Sequence, residues 1–305
     1  MFRSFKASAV VALASAVAVA GLTACGEAGK EADTTLASAS PSAAVSQAAG
    51  DRASGTRKIQ IEGKSVNVSC SGRARRGRPT VILLSGLGDG LEKMAPLQKT
   101  LGKRNRVCSY DRLGEGASDK PDGPQSLADS GRILTGVIDE VAGGGPVVLV
   151  GHSLGGLIAA RYAPGHTDKV KGLVLLDATS PSSVADVKAN IPEDATGQLA
   201  ELRRQTLAVH EGQNPEMLVI PDGEVRSAGN IPVEVVQHGK KYLAAVPEVG
   251  PALEKSWAEG QRKWLRVSSR SKLRTAKNSE HYIHIDEPKV AVRAVQRVVA
   301  KAARA

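Results

Sequence analysis

Aromatic residues make up only 3% of this 305-residue chain, so aliphatic side chains and alanine must fill its core. The shortage also bears on the net charge of +10. Basic residues that are scattered, with no aromatics between them, describe a solvated surface rather than a nucleic-acid groove. The densest cluster, RARRGR from Arg73 to Arg78, reads as a loop between strands. There is no internal repeat, no nucleic-acid motif and no segment that calls for a cofactor. The length suits one sizeable core, or one core with a small inserted subdomain.

Cysteine is scarce as well, at three residues, and the first of them follows a leader. MFRSFK supplies positive charge, ASAVVALASAVAVAG an apolar run too short to span a bilayer, and Leu22-Thr23-Ala24-Cys25 a terminal cysteine. LTAC resembles the lipobox of bacterial lipoproteins, so residues 1–24 are expected to be a signal peptide and Cys25 a lipidated N-terminus anchoring the protein outside the cytoplasm. Loss of Arg3 and Lys6 would leave 39 basic and 31 acidic side chains, a charge of +8. Residues 25–56 are small and polar without apolar periodicity and read as a disordered tether. Cys70 and Cys108 are then an even pair in an oxidising compartment, either bridged or two buried thiols. A bridge would close a loop worth roughly 4 kcal/mol.

From Arg57 onward, strand-like and helix-like segments alternate, as in a largely parallel sheet covered on both faces. KIQIEG and SVNVSC predict an edge hairpin; TVILLSG, RVCSYD, VVLVGH, GLVLLD and PVEVVQHG predict buried strands. Helices are expected near 92–102, 126–142 and 154–163, with an amphipathic one closing the chain. The interval from Ser180 to Asn230 is too long for an ordinary connection and reads as a small cap with a helix from about Thr196 to Val209.

Within this frame, Gly151-His152-Ser153-Leu154-Gly155 matches G-x-S-x-G between a buried strand and a helix-forming run. A serine there sits on a strained turn at the carboxyl end of a strand, where open α/β sheets keep their ligands. A phosphate loop would need a lysine after the last glycine, and Leu157 stands there instead. Ser153 is therefore the candidate nucleophile.

Here residues 57–305 resemble the α/β-hydrolase family, serine hydrolase branch. The resemblance implies an eight-stranded, mostly parallel sheet with helices on both faces and a small helical cap inserted after strand 6, at about 180–230. LLSGLGDG lies where the family builds half of its oxyanion hole, with Ser85 in place of the more usual histidine; by that likeness the hole uses the backbone N–H groups of Leu87 and Leu154. Asp111 and Arg112, in YDRLGEGASD, would brace loops beside the site. Strands 2 and 4 are neighbours in the family, which would bring Cys70 to Cys108. NSEHYIHIDEP resembles the late histidine loop, with His281 at the catalytic position and His284 packing locally; His281, His284 and Asp286 could alternatively hold a metal, though no third ligand is well spaced.

The acid is less defined. Many members carry it after strand 7, where QHGKKYLAAVPE has no carboxylate before Glu248. Asp177 stands after strand 6, the other family position, with Glu248 and Asp222 as rivals. The resulting expectation is a Ser153–His281–Asp177 hydrolase acting without metal or cofactor on a small acyl substrate, most simply a carboxylic ester. A non-catalytic binding lipoprotein is one alternative. An aminopeptidase-like member, with Glu193, Asp194 or Glu201 receiving the substrate amine, is another.

Overall fold

The computed structural model describes residues 54–304; the expected leader, Cys25 and nearly all of the expected tether lie outside the described residues. Eight strands form one sheet: β1 (Gly55–Ile61), β2 (Lys64–Ser71), β3 (Thr80–Leu84), β4 (Val107–Tyr110), β5 (Val147–His152), β6 (Val170–Leu176), β7 (Val233–His238) and β8 (Ser271–Ala276). Their order is β1-β2-β4-β3-β5-β6-β7-β8. The β1–β2 and β2–β4 pairs are antiparallel and all others parallel.

The helices are α1 (Ala95–Gly102), α2 (Leu127–Ala142), α3 (Leu154–Tyr162), α4 (Ser183–Asn190), α5 (Gly197–His210), α6 (Gly250–Lys263), α7 (Ile283–Asp286) and α8 (Pro288–Ala302). The strand pleat divides the core in two. Ile82, Leu84, Leu149 and Leu173 face Leu134 and Ile138 of α2 and Leu157 of α3. Their neighbours Val81, Leu83, Val148 and Val174 face Leu97 and Leu101 of α1 and Val295 and Val298 of α8. Central strands covered on both faces must be apolar at successive positions, and every residue of β3, β4 and β5 is buried. Helix α2 starts on a capping box between Ser126 and Asp129 and stops at Gly143, held at φ 59°.

The antiparallel β2–β4 register sets Cys70 opposite Cys108, and with Cα atoms 4.1 Å apart the two form a disulfide. RARRGR lies in the exposed loop between β2 and β3. Between β6 and β7, helices α4 and α5 form a small layer with an apolar cluster of its own. Val187, Ile191 and Leu202 pack there against Leu243, Val246 and Leu253, so the layer also draws on chain that follows β7. That later piece contains α6, which reaches back under the end of β6.

Candidate active site

The turn from β5 into α3 is built by close backbone approach. A Cβ on Gly151 would lie 2.3 Å from the Gly155 carbonyl oxygen, and one on Gly155 would lie 2.4 Å from the carbonyl oxygens of Leu84 and Ser85. Only hydrogen fits at either place. Between them Ser153 is held at φ 49°, a left-handed conformation rare for a residue with a side chain. It stands at the carboxyl end of the sheet and lines a cleft.

The cleft is lined near the serine by Leu87, Leu154 and Thr179, and deeper by residues of the α4–α5 layer and α6. The backbone N–H groups of Leu87 and Leu154 have no hydrogen-bond partner among the described residues. The Leu87 loop is fixed from behind. Buried Arg112 donates to the carbonyls of Ser85 (2.7 Å) and Gly86 (2.9 Å) while its other face pairs with buried Glu216. Asp111 accepts from the N–H of Leu91 and from Asn67 and Ala117. Both residues brace, as expected.

Asp177, directly after β6, is fully buried and also lies in the left-handed region, at φ 46°. Its Oδ2 accepts from His281 Nδ1 at 2.8 Å. Oδ1 accepts from the indole N–H of Trp257 (3.0 Å) and the backbone N–H of His238 (3.1 Å). Burial alone would raise this carboxyl, but hydrogen bonds from His238 and His281 outweigh it and hold the group far below the usual carboxylate range. Sequence reasoning did not single out His238, Glu254 or Trp257. His238 ends β7 and directs Nδ1 at Asp177 (2.9 Å) and Nε2 at Glu254 Oε1 (2.8 Å).

The rivals for the acid stand elsewhere. Glu248 is exposed, and Asp222 accepts from the N–H groups of Val184 and Ala185, capping α4.

With Nδ1 donating to Asp177, His281 Nε2 has no partner among the described residues. The loop carrying it is tied to the serine turn through His152, whose buried Nε2 donates to the His281 carbonyl at 3.1 Å. Burial keeps His152 neutral by pushing it well below its ordinary value. Ser153 Oγ lies 3.5 Å from Thr179 Oγ1 and makes no hydrogen bond to His281. Such bonds are often open until substrate arrives. His284 packs, with its ring centre 4.8 Å from that of His152 and both nitrogens unpartnered; burial pushes it down to about 4. Asp286, the third member of the conceivable metal set, accepts instead from Ser279 and from the N–H of Glu280. Glu193, Asp194 and Glu201 are exposed and do not line the cleft.

Residues 79–264 match the sequence model of the alpha/beta hydrolase fold. The chain is a member of the α/β-hydrolase fold family. Among its relatives, the 2-(acetamidomethylene)succinate hydrolase of Mesorhizobium japonicum is 26% identical over 193 residues, 62% of this chain and 66% of its own. The uncharacterized protein YqjL of Bacillus subtilis is 25% identical over 212 residues, 69% of this chain and 79% of its own. The chain spans less of other curated relatives, down to 16% of one from Schizosaccharomyces pombe. The enol-lactonase of Burkholderia xenovorans LB400 superimposes with a TM-score of 0.56 at 19% identity, over 80% of this chain and all of that one, a likeness of fold.

Within the family, many members carry the acid after strand 7. In this chain a histidine stands at that point and bonds to the carboxylate that follows strand 6. QHG at the end of β7 was the available signal, a polar side chain closing a buried strand.

Proposed function

We propose that the chain is a hydrolase that cleaves a small carboxylic ester, or a related acyl compound such as a lactone, through a Ser153–His281–Asp177 triad and an acyl-enzyme. The observation that carries the reading is the Asp177–His281 hydrogen bond of 2.8 Å, beside a serine held at φ 49° on the β5–α3 turn. Asp177 fixes the tautomer in which His281 Nε2 is bare and can take the serine proton. The reading requires Ser153 Oγ to turn from Thr179 toward that nitrogen when substrate binds. Oγ then attacks the substrate carbonyl, and the developing oxyanion is received by the N–H groups of Leu87 and Leu154, which are otherwise unpartnered. His281 passes the proton to the leaving alkoxide, and a water activated by the same imidazole releases the acid.

The cleft supports a small, largely apolar acyl substrate. Val187, Val209, Ile220 and Leu253 give it an apolar lining, and its polar members Ser180, Ser183 and Asn190 are engaged by Asp186, His210 and Ser256. Its acidic member, Asp186, is already engaged by Ser180, Ser182 and Lys263, so no free carboxylate awaits a substrate amine. The reading includes an extracytoplasmic, lipid-anchored enzyme, through a signal at 1–24 and lipid on Cys25; the Cys70–Cys108 disulfide is at home in an oxidising compartment.

The test is a fluorophosphonate probe and a panel of short p-nitrophenyl esters and lactones. Wild type is expected to label and turn over, and Ser153→Ala to lose both. Labelling or turnover undiminished in Ser153→Ala would remove Ser153 from the mechanism.

A further inference from the structure

We propose that His238 is a positioning residue: it sits as an imidazolium between Asp177 and Glu254 and thereby sets, through Asp177, how readily His281 takes a proton. The catalytic meaning of this rests on the triad reading, while the charge arrangement itself is independent of it.

The geometry leaves His238 few options. Its Nδ1 is 3.0 Å and 2.9 Å from the two Asp177 oxygens, its Nε2 is 2.8 Å from Glu254 Oε1, and both partners are carboxylates. A neutral imidazole carries one N–H and would set a lone pair against one of the two anions; the cation donates to both. The side chains are withdrawn from water, with Asp177 0%, His238 7% and Glu254 11% exposed, so the charges act on one another with little screening. Burial opposes the cation, but the bonds to Asp177 and Glu254 outweigh it and push His238 up to about 9. Glu254 Oε2 is buried without a partner, so the carboxylate makes its one hydrogen bond to His238.

The consequence concerns His281. An aspartate facing a single histidine stabilises the imidazolium with its whole charge. Here Asp177 is shared by His238 on one side and His281 on the other, with the Trp257 indole as a further donor. Asp177 therefore acts on His281 with its charge divided between two imidazoles rather than whole. Other groups facing His281 are Asp89, His152, His284, Tyr242 and Tyr282. Those facing His238 are Tyr242 and Trp257, with Lys241, Lys255 and Arg262 lining the neighbouring cavity. None of these other groups bridges the two carboxylates.

The arrangement makes two substitutions act in opposite directions. His238→Asn keeps an N–H donor toward Asp177 and removes the positive charge, so the His281 titration midpoint should rise by roughly one pH unit. Glu254→Gln changes one atom and removes a negative charge behind the cation, so the midpoint should fall by a few tenths of a unit. Both are read by 15N-edited NMR of the imidazoles in the full mature protein carrying Ser153→Ala, which needs no turnover. The His238 imidazole in that same protein should carry both protons at pH 7. Shifts of the same sign, no shift, or a neutral His238 at pH 7 would overturn the proposal. If His238→Asn does not fold, Glu254→Gln and the His238 resonances decide it alone. Failure of the triad reading would appear separately, as absent probe labelling of the otherwise wild-type enzyme.

Discussion

At the residue scale, five non-glycine residues among the described ones have positive φ, and two of them are Ser153 and Asp177. Such strain persists where surroundings over-determine it. For Ser153 these are the glycine contacts of the turn; for Asp177 they are the donors converging from β7, α6 and the histidine loop. The signs of the titrations give a stability prediction. His238 is raised when folded, so its contribution is complete below its unfolded value near 6.5 and is lost as pH rises through about 9. Asp177 is depressed, so its contribution is present above the ordinary carboxylate value and is lost only when strong acid titrates the folded group. Between pH 6.5 and about 9 the melting temperature should therefore fall by an amount that His238→Asn removes. Thermal denaturation of both proteins across that window checks it, and parallel curves would contradict the assignment.

At the element scale, what could be read in advance follows apolar density. β3, β5 and β6, and helices α2 and α3, announce themselves because a buried strand or an amphipathic stripe must be apolar at fixed spacing. β8 gives no such signal. As an edge strand it buries only Ala276 fully, and its SKLRTA sequence looks like a loop. α6 was equally silent, since GPALEKSWAEGQRK buries Leu253, two glycines and a glutamine. Its value lies in Glu254 and Trp257, which meet Asp177 and His238 only after folding, and no local pattern encodes that meeting. Ser153 and His281 could be singled out as candidates because each sits in a contiguous motif. His238 belongs to none. The β5–α3 turn yields a prediction at this scale. Gly155→Ala puts a methyl against the carbonyls of Leu84 and Ser85, which must move together with the Leu87 loop they precede. Overpacking of this kind costs about 1–3 kcal/mol. We expect a lower melting temperature and, because the hole donor shifts too, a probe-labelling rate reduced at least tenfold at temperatures where the variant is folded. A variant that melts lower but labels at the wild-type rate would uncouple the turn from the hole.

At the scale of the whole molecule, the antiparallel edge and the candidate site are separated by fully buried central strands. The Cys70–Cys108 bridge links β2 to β4, whereas Ser153 and Asp177 follow β5 and β6, beyond β3 in the strand order. The bridge closes a loop of sequence separation 38 that contains all of β3 and α1. By restricting the unfolded chain, such a loop is worth roughly 4 kcal/mol, on the order of 10 °C in melting temperature for a domain of this size. Its location in the fold says that this stabilisation need not pass through the site. Cys70→Ala/Cys108→Ala, or reduction of the wild type, should therefore lower the melting temperature by about that amount while leaving the fluorophosphonate labelling rate at 25 °C within twofold. If labelling fell in proportion to stability, the β2–β4 edge would have to be helping to hold the Leu87 loop, through Asn67 on β2 and its bond to Asp111.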